Sequence, residues 1–233
     1  MKVTAEQRKY ARIAGIMILA HFIIEELGDY PTIIARMGET FAQTAHYVVE
    51  HDALWRAALL CVGLAWISIA VAAFTLYVVL EPVDKRTAQL GLILRLGGSF
   101  VGAPSLMFRV VKTQLYSASA AAMFTTEQLT RFASITQQAA NAGIYTAWIF
   151  MGLGELIFFA LFWRSRYLPR ALAGFGVFGS IVLVAVPMAS LAFPQYQPML
   201  KPVLLTSLLA ELATAVWLLT KGIQSDAPAI NPT

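Results

Sequence analysis

Charge is scarce in this chain. Asp, Glu, Lys and Arg make up 13% of its 233 residues, about half the share of a typical soluble domain. A single cysteine, Cys61, excludes an intrachain disulfide, so disulfide usage says nothing about redox compartment. A nucleophile elbow, a Walker A loop, a dinucleotide glycine fingerprint and a helical zinc-protease motif are all missing. No long basic run interleaves with aromatic residues, which excludes a nucleic-acid partner. A bis-histidine haem needs two histidines at matching depth. Of His21, His46 and His51, only His21 falls inside an apolar run.

What the chain has instead is hydrocarbon. Hydrophobic residues make up 58% of it, and the mean hydropathy is +0.67. Several stretches run about twenty residues with few charges, the length of a helix that crosses a bilayer at ~1.5 Å per residue. Six spans are expected, at roughly 11–28, 54–80, 88–115, 141–163, 171–192 and 202–220. Pro82, Pro169, Pro194, Pro198 and Pro202 punctuate the connections. The opening "MKVTAEQRKYARIAGIMILAHFIIEEL" is basic, then apolar, like a signal peptide. No small-residue cleavage site follows, so it reads as an uncleaved first span.

Two further segments are helical but not apolar all round: 32–52, "TIIARMGETFAQTAHYVVEHD", and 125–140, "TTEQLTRFASITQQAA". In the second, Thr126 caps a helix whose apolar face is Leu129, Phe132 and Ile135. Each precedes an even-numbered span, which puts both on the same outer face. The expected fold is therefore an all-α, polytopic membrane bundle of six transmembrane helices plus two amphipathic helices on the outer side. It forms one integral domain over 1–233, with a short cytoplasmic N-terminal segment, 1–9, and a C-terminal tail, 222–233.

Lys and Arg orient it, because basic loops stay in the cytoplasm. One side holds ten: Lys2, Arg8, Lys9, Arg12, Lys85, Arg86, Arg164, Arg166, Arg170 and Lys221. The other holds five: Arg36, Arg56, Lys112, Arg131 and Lys201. Both termini are then expected in the cytoplasm, and the expected partners are the lipid bilayer and a small-molecule or lipid ligand.

Arg95 interrupts the third span. It lies nine residues after Arg86, ~13 Å deep. Glu155 lies nine residues before Arg164, again ~13 Å, and Glu211 ten before Lys221, ~15 Å. An unpaired charge at such depth costs ~2.5–3.5 kcal/mol or more. Opposite signs in one layer point to a buried Arg95–Glu155–Glu211 cluster, with Ser207 one turn before Glu211 as a donor to it. Gly98, Gly102, Gly152 and Gly154 permit close helix approach around it.

A second set of residues suits a metal. His21 and Glu25, and again His46 and Glu50, stand four apart on one helix face. Imidazole and carboxylate at that spacing are donors for Zn²⁺, Mn²⁺ or Fe²⁺. The two pairs meet only if the segment around His46 dips inward. No other cofactor is indicated.

The stretches "RKYARIAGIMIL", "LRLGGSFVGA", "FFALFWRSRYLPRALAGFGVFG" and "LLAELATAVWLLTKG" together resemble an uncharacterised bacterial membrane-protein family, domain of unknown function 4386. The resemblance covers about residues 8–222, and "YLPRALAGFG" with the terminal Glu-to-"WLL-KG" stretch is its most specific part. Members usually read Gly-Glu where this chain has Ala210–Glu211, which keeps the carboxylate. The resemblance implies a multispan protein of the bacterial inner membrane and no particular activity; His21 and His46 are not part of the pattern.

Three function classes follow. The first is binding or translocation of a small molecule, lipid or ion at the Arg95–Glu155–Glu211 cluster. The second is an intramembrane metalloenzyme using His21, Glu25, His46 and Glu50. The third is a non-catalytic membrane scaffold or regulatory partner, engaged through the basic loop Arg164–Arg170.

Overall fold

A computed structural model describes residues 3–36 and 40–224. Its elements are helices, with no strand among the described residues. In chain order they are α1 (Ala5–Arg36), α2 (Phe41–Glu50), α3 (Asp52–Leu80), α4 (Lys85–Gly102), α5 (Pro104–Gln114), α6 (Ala118–Met123), α7 (Thr126–Ser165), α8 (Arg170–Ala192), α9 (Gln197–Leu200) and α10 (Leu205–Thr220). Short 3₁₀ turns flank α9.

Among the described residues, five segments are long and apolar enough to cross a membrane: Asp52–Leu80, Lys85–Gln114, Thr126–Ser165, Arg170–Ala192 and Pro194–Thr220. Their outward faces carry bare apolar side chains such as Leu60, Ile67, Ile93, Phe100 and Phe178. In lipid such faces need no cover, since the solvent there is itself hydrocarbon. Helix α1 falls outside this set, although a span was expected over 11–28. Arg12 on one side and Glu25 with Glu26 on the other leave only residues 13–24 free of charge, a length of ~18 Å against a hydrocarbon core of ~30 Å.

Helix α1 nonetheless lies along α3 in one continuous antiparallel register. Along one face its buried residues Gln7, Ala11, Ala14, Ile18, His21, Gly28 and Pro31 recur at intervals of three, four or seven, while buried Gly15 meets α10 instead. The buried face of α3 does the same: Trp55, Ala58, Val62, Ala65, Ile69, Ala72, Leu76, Val79. This 3.5-residue repeat is the spacing of a left-handed helix pair. Gln7 donates to the Val79 carbonyl at 3.1 Å, and the His21 ring meets the Ala65 carbonyl at 3.1 Å. A Cβ on Gly28 would lie 3.0 Å from the Ala58 carbonyl, so only glycine fits without a shift. Fully buried Ala14 and Ala72 fall opposite each other in the same register.

The remaining long helices pack in sequence order, α4 on α7, α7 on α8 and α8 on α10, and α10 returns to α1. At one end, the last turn of α3 and the turn between α7 and α8 are tied to the N-terminal helix. Gln7 Nε2 also donates to the Tyr167 hydroxyl at 3.3 Å, and the Gln224 N–H donates to the Tyr167 carbonyl at 3.0 Å. Tyr167 and Leu168 are almost fully buried, which accounts for the aromatic and apolar character of "YLPRALAGFG". Asp84 caps α4 at the same end. The Thr87 backbone N–H, and then its hydroxyl, bond the Asp84 carboxylate and hold it below the usual aspartate range.

The opposite end is capped. Helix α2 begins at Thr40, whose side chain and that of Gln43 form a reciprocal capping box. Val48, Trp55 and Tyr116 make a small core there. The separate amphipathic helix expected over 125–140 is not a separate element. Those residues are the first turns of α7, one 40-residue helix capped by Thr125 rather than Thr126. No proline interrupts 126–165, so the chain has no reason to stop, and at ~60 Å α7 overshoots a bilayer. The segment 32–52 divides too: 32–36 continue α1, 41–50 are α2, and 37–39 lie outside the described residues. The third expected span breaks at Ala103, before Pro104, which has no N–H to continue the ladder. Residues 225–233 of the expected tail also lie outside the described residues.

Candidate functional site: a buried charge centre

Helices α4 and α7 approach closely because three glycines line their contact. A Cβ on Gly154 would sit 2.6 Å from the Gly91 carbonyl and 2.7 Å from Arg95 Cγ. One on Gly98 would sit 2.8 Å from the Ala147 carbonyl, and one on Gly91 2.7 Å from the Phe158 ring. This backbone proximity brings Arg95 and Glu155 together inside the bundle. Arg95 Nη1 lies 3.8 Å from Glu155 Oε2, and their side chains are 2% and 3% exposed.

Glu211 joins from α10. Arg95, Glu155, Glu211 and Thr214 line one cavity of about 20 Å³, walled by Phe158, Phe159 and Phe162. That volume holds about one water and nothing larger. The lining is short of partners. Arg95 Nε and Nη2, both Glu155 oxygens and the Thr214 hydroxyl are buried without a hydrogen bond to the protein. Arg95, Glu155 and Thr214 thus bring donors, acceptors and a hydroxyl short of protein partners to the lining of one water-sized void.

The three charges that sequence depth placed in one layer therefore line one cavity. Ser207 does not join them. It is buried where α10 crosses α8, its Cα 3.1 Å from where a Gly179 Cβ would be. Thr214, not Ser207, is the hydroxyl residue of α10 that lines the cavity with Glu211. The signal was available, because Thr214 follows Glu211 by three and shares its helix face.

The histidine pairs form two separate places. His21 Nε2 lies 3.4 Å from Glu25, and the opposite ring nitrogen, Nδ1, donates to the Ala65 carbonyl. His46 lies 3.7 Å from Glu50 on the surface, with side chains 81% and 60% exposed. Among the described residues, no three His, Cys, Asp or Glu side chains gather into a group able to hold a metal ion. Around His21 the structure adds an ion pair that sequence reading missed. Arg109 on α5 bonds Asp29 on α1. Glu25, Ser105 and Arg109 line a cavity with His21.

The sequence pattern of the family described as Domain of unknown function (DUF4386) matches residues 13–222, and the chain belongs to that family. No curated protein and no solved structure matches the chain.

Proposed function

We propose that this integral membrane protein binds a proton at the Arg95–Glu155–Glu211 centre and moves it through the bundle. The observation that carries the reading is the pairing of two buried carboxyls and one buried guanidinium around a void of about 20 Å³. The formal charges leave one negative charge in excess. In a dry interior such an excess is relieved by a proton or a small cation. Of the ligand classes considered, a lipid or organic molecule does not fit that void. A proton shared between Glu155 and Glu211, with one water, does. The unpaired Thr214 hydroxyl and Arg95 N–H groups supply the partners such a water needs.

In this reading α1 is the sixth spanning helix. Its support is the register it keeps with α3 over its length, from Gln7–Val79 to Gly28–Ala58. The excess of Lys and Arg beside the Tyr167 turn makes that end cytoplasmic, with both termini, in a bacterial inner membrane. The test is flux into proteoliposomes loaded with a pH-sensitive dye. The wild-type protein dissipates an imposed pH gradient, and Glu155→Gln and Glu211→Gln do not. A wild-type rate equal to that of empty vesicles, or unchanged rates in both variants, contradicts it.

A further inference from the structure

The helix stripe that carries Arg95 continues beyond the buried centre. On α4 and α5 it runs Arg95, Gly98, Gly102, Ser105, Arg109, at intervals of three and four. Its far end opens on the second polar cavity, about 10 Å³, lined by His21, Glu25, Ser105 and Arg109. Ser105 is 1% exposed and its hydroxyl has no partner in the protein. Two polar cavities with unsatisfied groups thus lie on one stripe. Arg95 and Ser105 are ten residues apart, ~15 Å along the helix.

Between them the stripe is bare backbone at Gly102, and Trp66 of α3 lies on it. A Cβ at Gly102 would be 2.2 Å from the indole ring, so only glycine admits the ring there. The same ring lines the second cavity and packs against the apolar core. A proton crosses ~15 Å only along hydrogen-bonded groups spaced ~3 Å apart. An apolar constriction stops it by excluding water.

We propose that Trp66, seated on Gly102, is the barrier that limits proton exchange between the Arg95–Glu155–Glu211 centre and the capped end of the bundle. The inference rests on the proton reading above and names the residue that governs access to that site. The charged groups facing the path are Arg95, Glu155 and Glu211 at one end. At the other they are His21, Glu25 and Asp29 from α1 and Arg109 from α5.

The experiment uses the full chain in lipid bilayers. Infrared spectroscopy follows exchange of the Glu155 carboxyl proton for deuterium after mixing with heavy water, the band being identified by its loss in Glu155→Gln. Trp66→Ala is expected to speed exchange about tenfold or more, and Trp66→Phe, which keeps an aromatic ring on Gly102, much less. Gly102→Ala displaces the ring without removing it. It is expected to accelerate exchange as well, and it serves if Trp66→Ala does not fold. Equal rates in wild type, Trp66→Ala and Gly102→Ala overturn the barrier while leaving the proton site standing. So does a Trp66→Phe rate matching Trp66→Ala. A wild-type protein with no protonated carboxyl band overturns the proton reading itself, and this inference with it.

Discussion

Arg95 Nη1 and Glu155 Oε2 stand 3.8 Å apart in the interior, close enough to attract and too far for a full charge-assisted hydrogen bond. The guanidinium is the only positive group lining a cavity that holds two carboxyls. The two partners are therefore not equivalent. Arg95→Leu leaves two buried carboxyls without a cation and is expected to cost about 3–5 kcal/mol. Glu155→Gln leaves one cation with one carboxylate and is expected to cost less, about 1–3 kcal/mol. Thermal unfolding in mild detergent measures both. A larger loss in Glu155→Gln than in Arg95→Leu contradicts the charge assignment.

The contact that positions Arg95 predicts a contrast between two adjacent glycines. A Cβ on Gly98 meets the Ala147 carbonyl at 2.8 Å, whereas one on Gly97 meets only Phe150 Cδ1 at 3.8 Å. Gly98→Ala forces α4 away from α7 and is expected to destabilise by about 1–3 kcal/mol. Gly97→Ala is expected to stay within ~0.5 kcal/mol of wild type. The same unfolding assay ranks them.

Asp84 gives the fold an acid-sensitive element. Its folded carboxyl lies below the usual aspartate range because the Thr87 N–H and hydroxyl bond its ionised form. A depressed carboxyl contributes stability above its unfolded value and loses it as pH falls through the folded one. Asp84→Asn is therefore expected to lower the unfolding temperature at neutral pH. The difference from wild type should shrink as pH falls below the ordinary aspartate range. A gap that stays constant with pH rules out the cap as its cause.

Gln7 links α1, α3 and the α7–α8 turn through one amide nitrogen, bonded to the Val79 carbonyl and the Tyr167 hydroxyl. Gln7→Leu removes both of these bonds and the one that Gln7 Oε1 accepts from the Thr4 N–H, and is expected to cost about 1–3 kcal/mol. Tyr167→Phe removes one and is expected to cost less. The double variant is expected to cost less than the two singles together, as members of one network do.

The helical class and the depth coincidence of Arg95, Glu155 and Glu211 were legible because both depend on one-dimensional spacing. A fixed rise per residue converts sequence distance to depth. What spacing does not carry is azimuth. Ser207 and Thr214 both lie within a turn of Glu211, and only packing against Gly179 decides that Ser207 turns to α8 while Thr214 turns to the cavity. The boundary at 125–140 was misread for a related reason. A change from amphipathic to apolar composition records a change of solvent, and helix α7 crosses that change without a break. The Arg109–Asp29 pair joins residues eighty apart on α5 and α1, and no local pattern links them.

The proposed proton site requires one of the two buried carboxyls to carry a proton at neutral pH. Infrared difference spectroscopy of the protein in lipid bilayers, titrated across neutral pH, detects that proton. A protonated carboxyl band is expected at pH 7, removed by Glu155→Gln or Glu211→Gln and left intact by Glu50→Gln. Two ionised carboxylates throughout that range would contradict it.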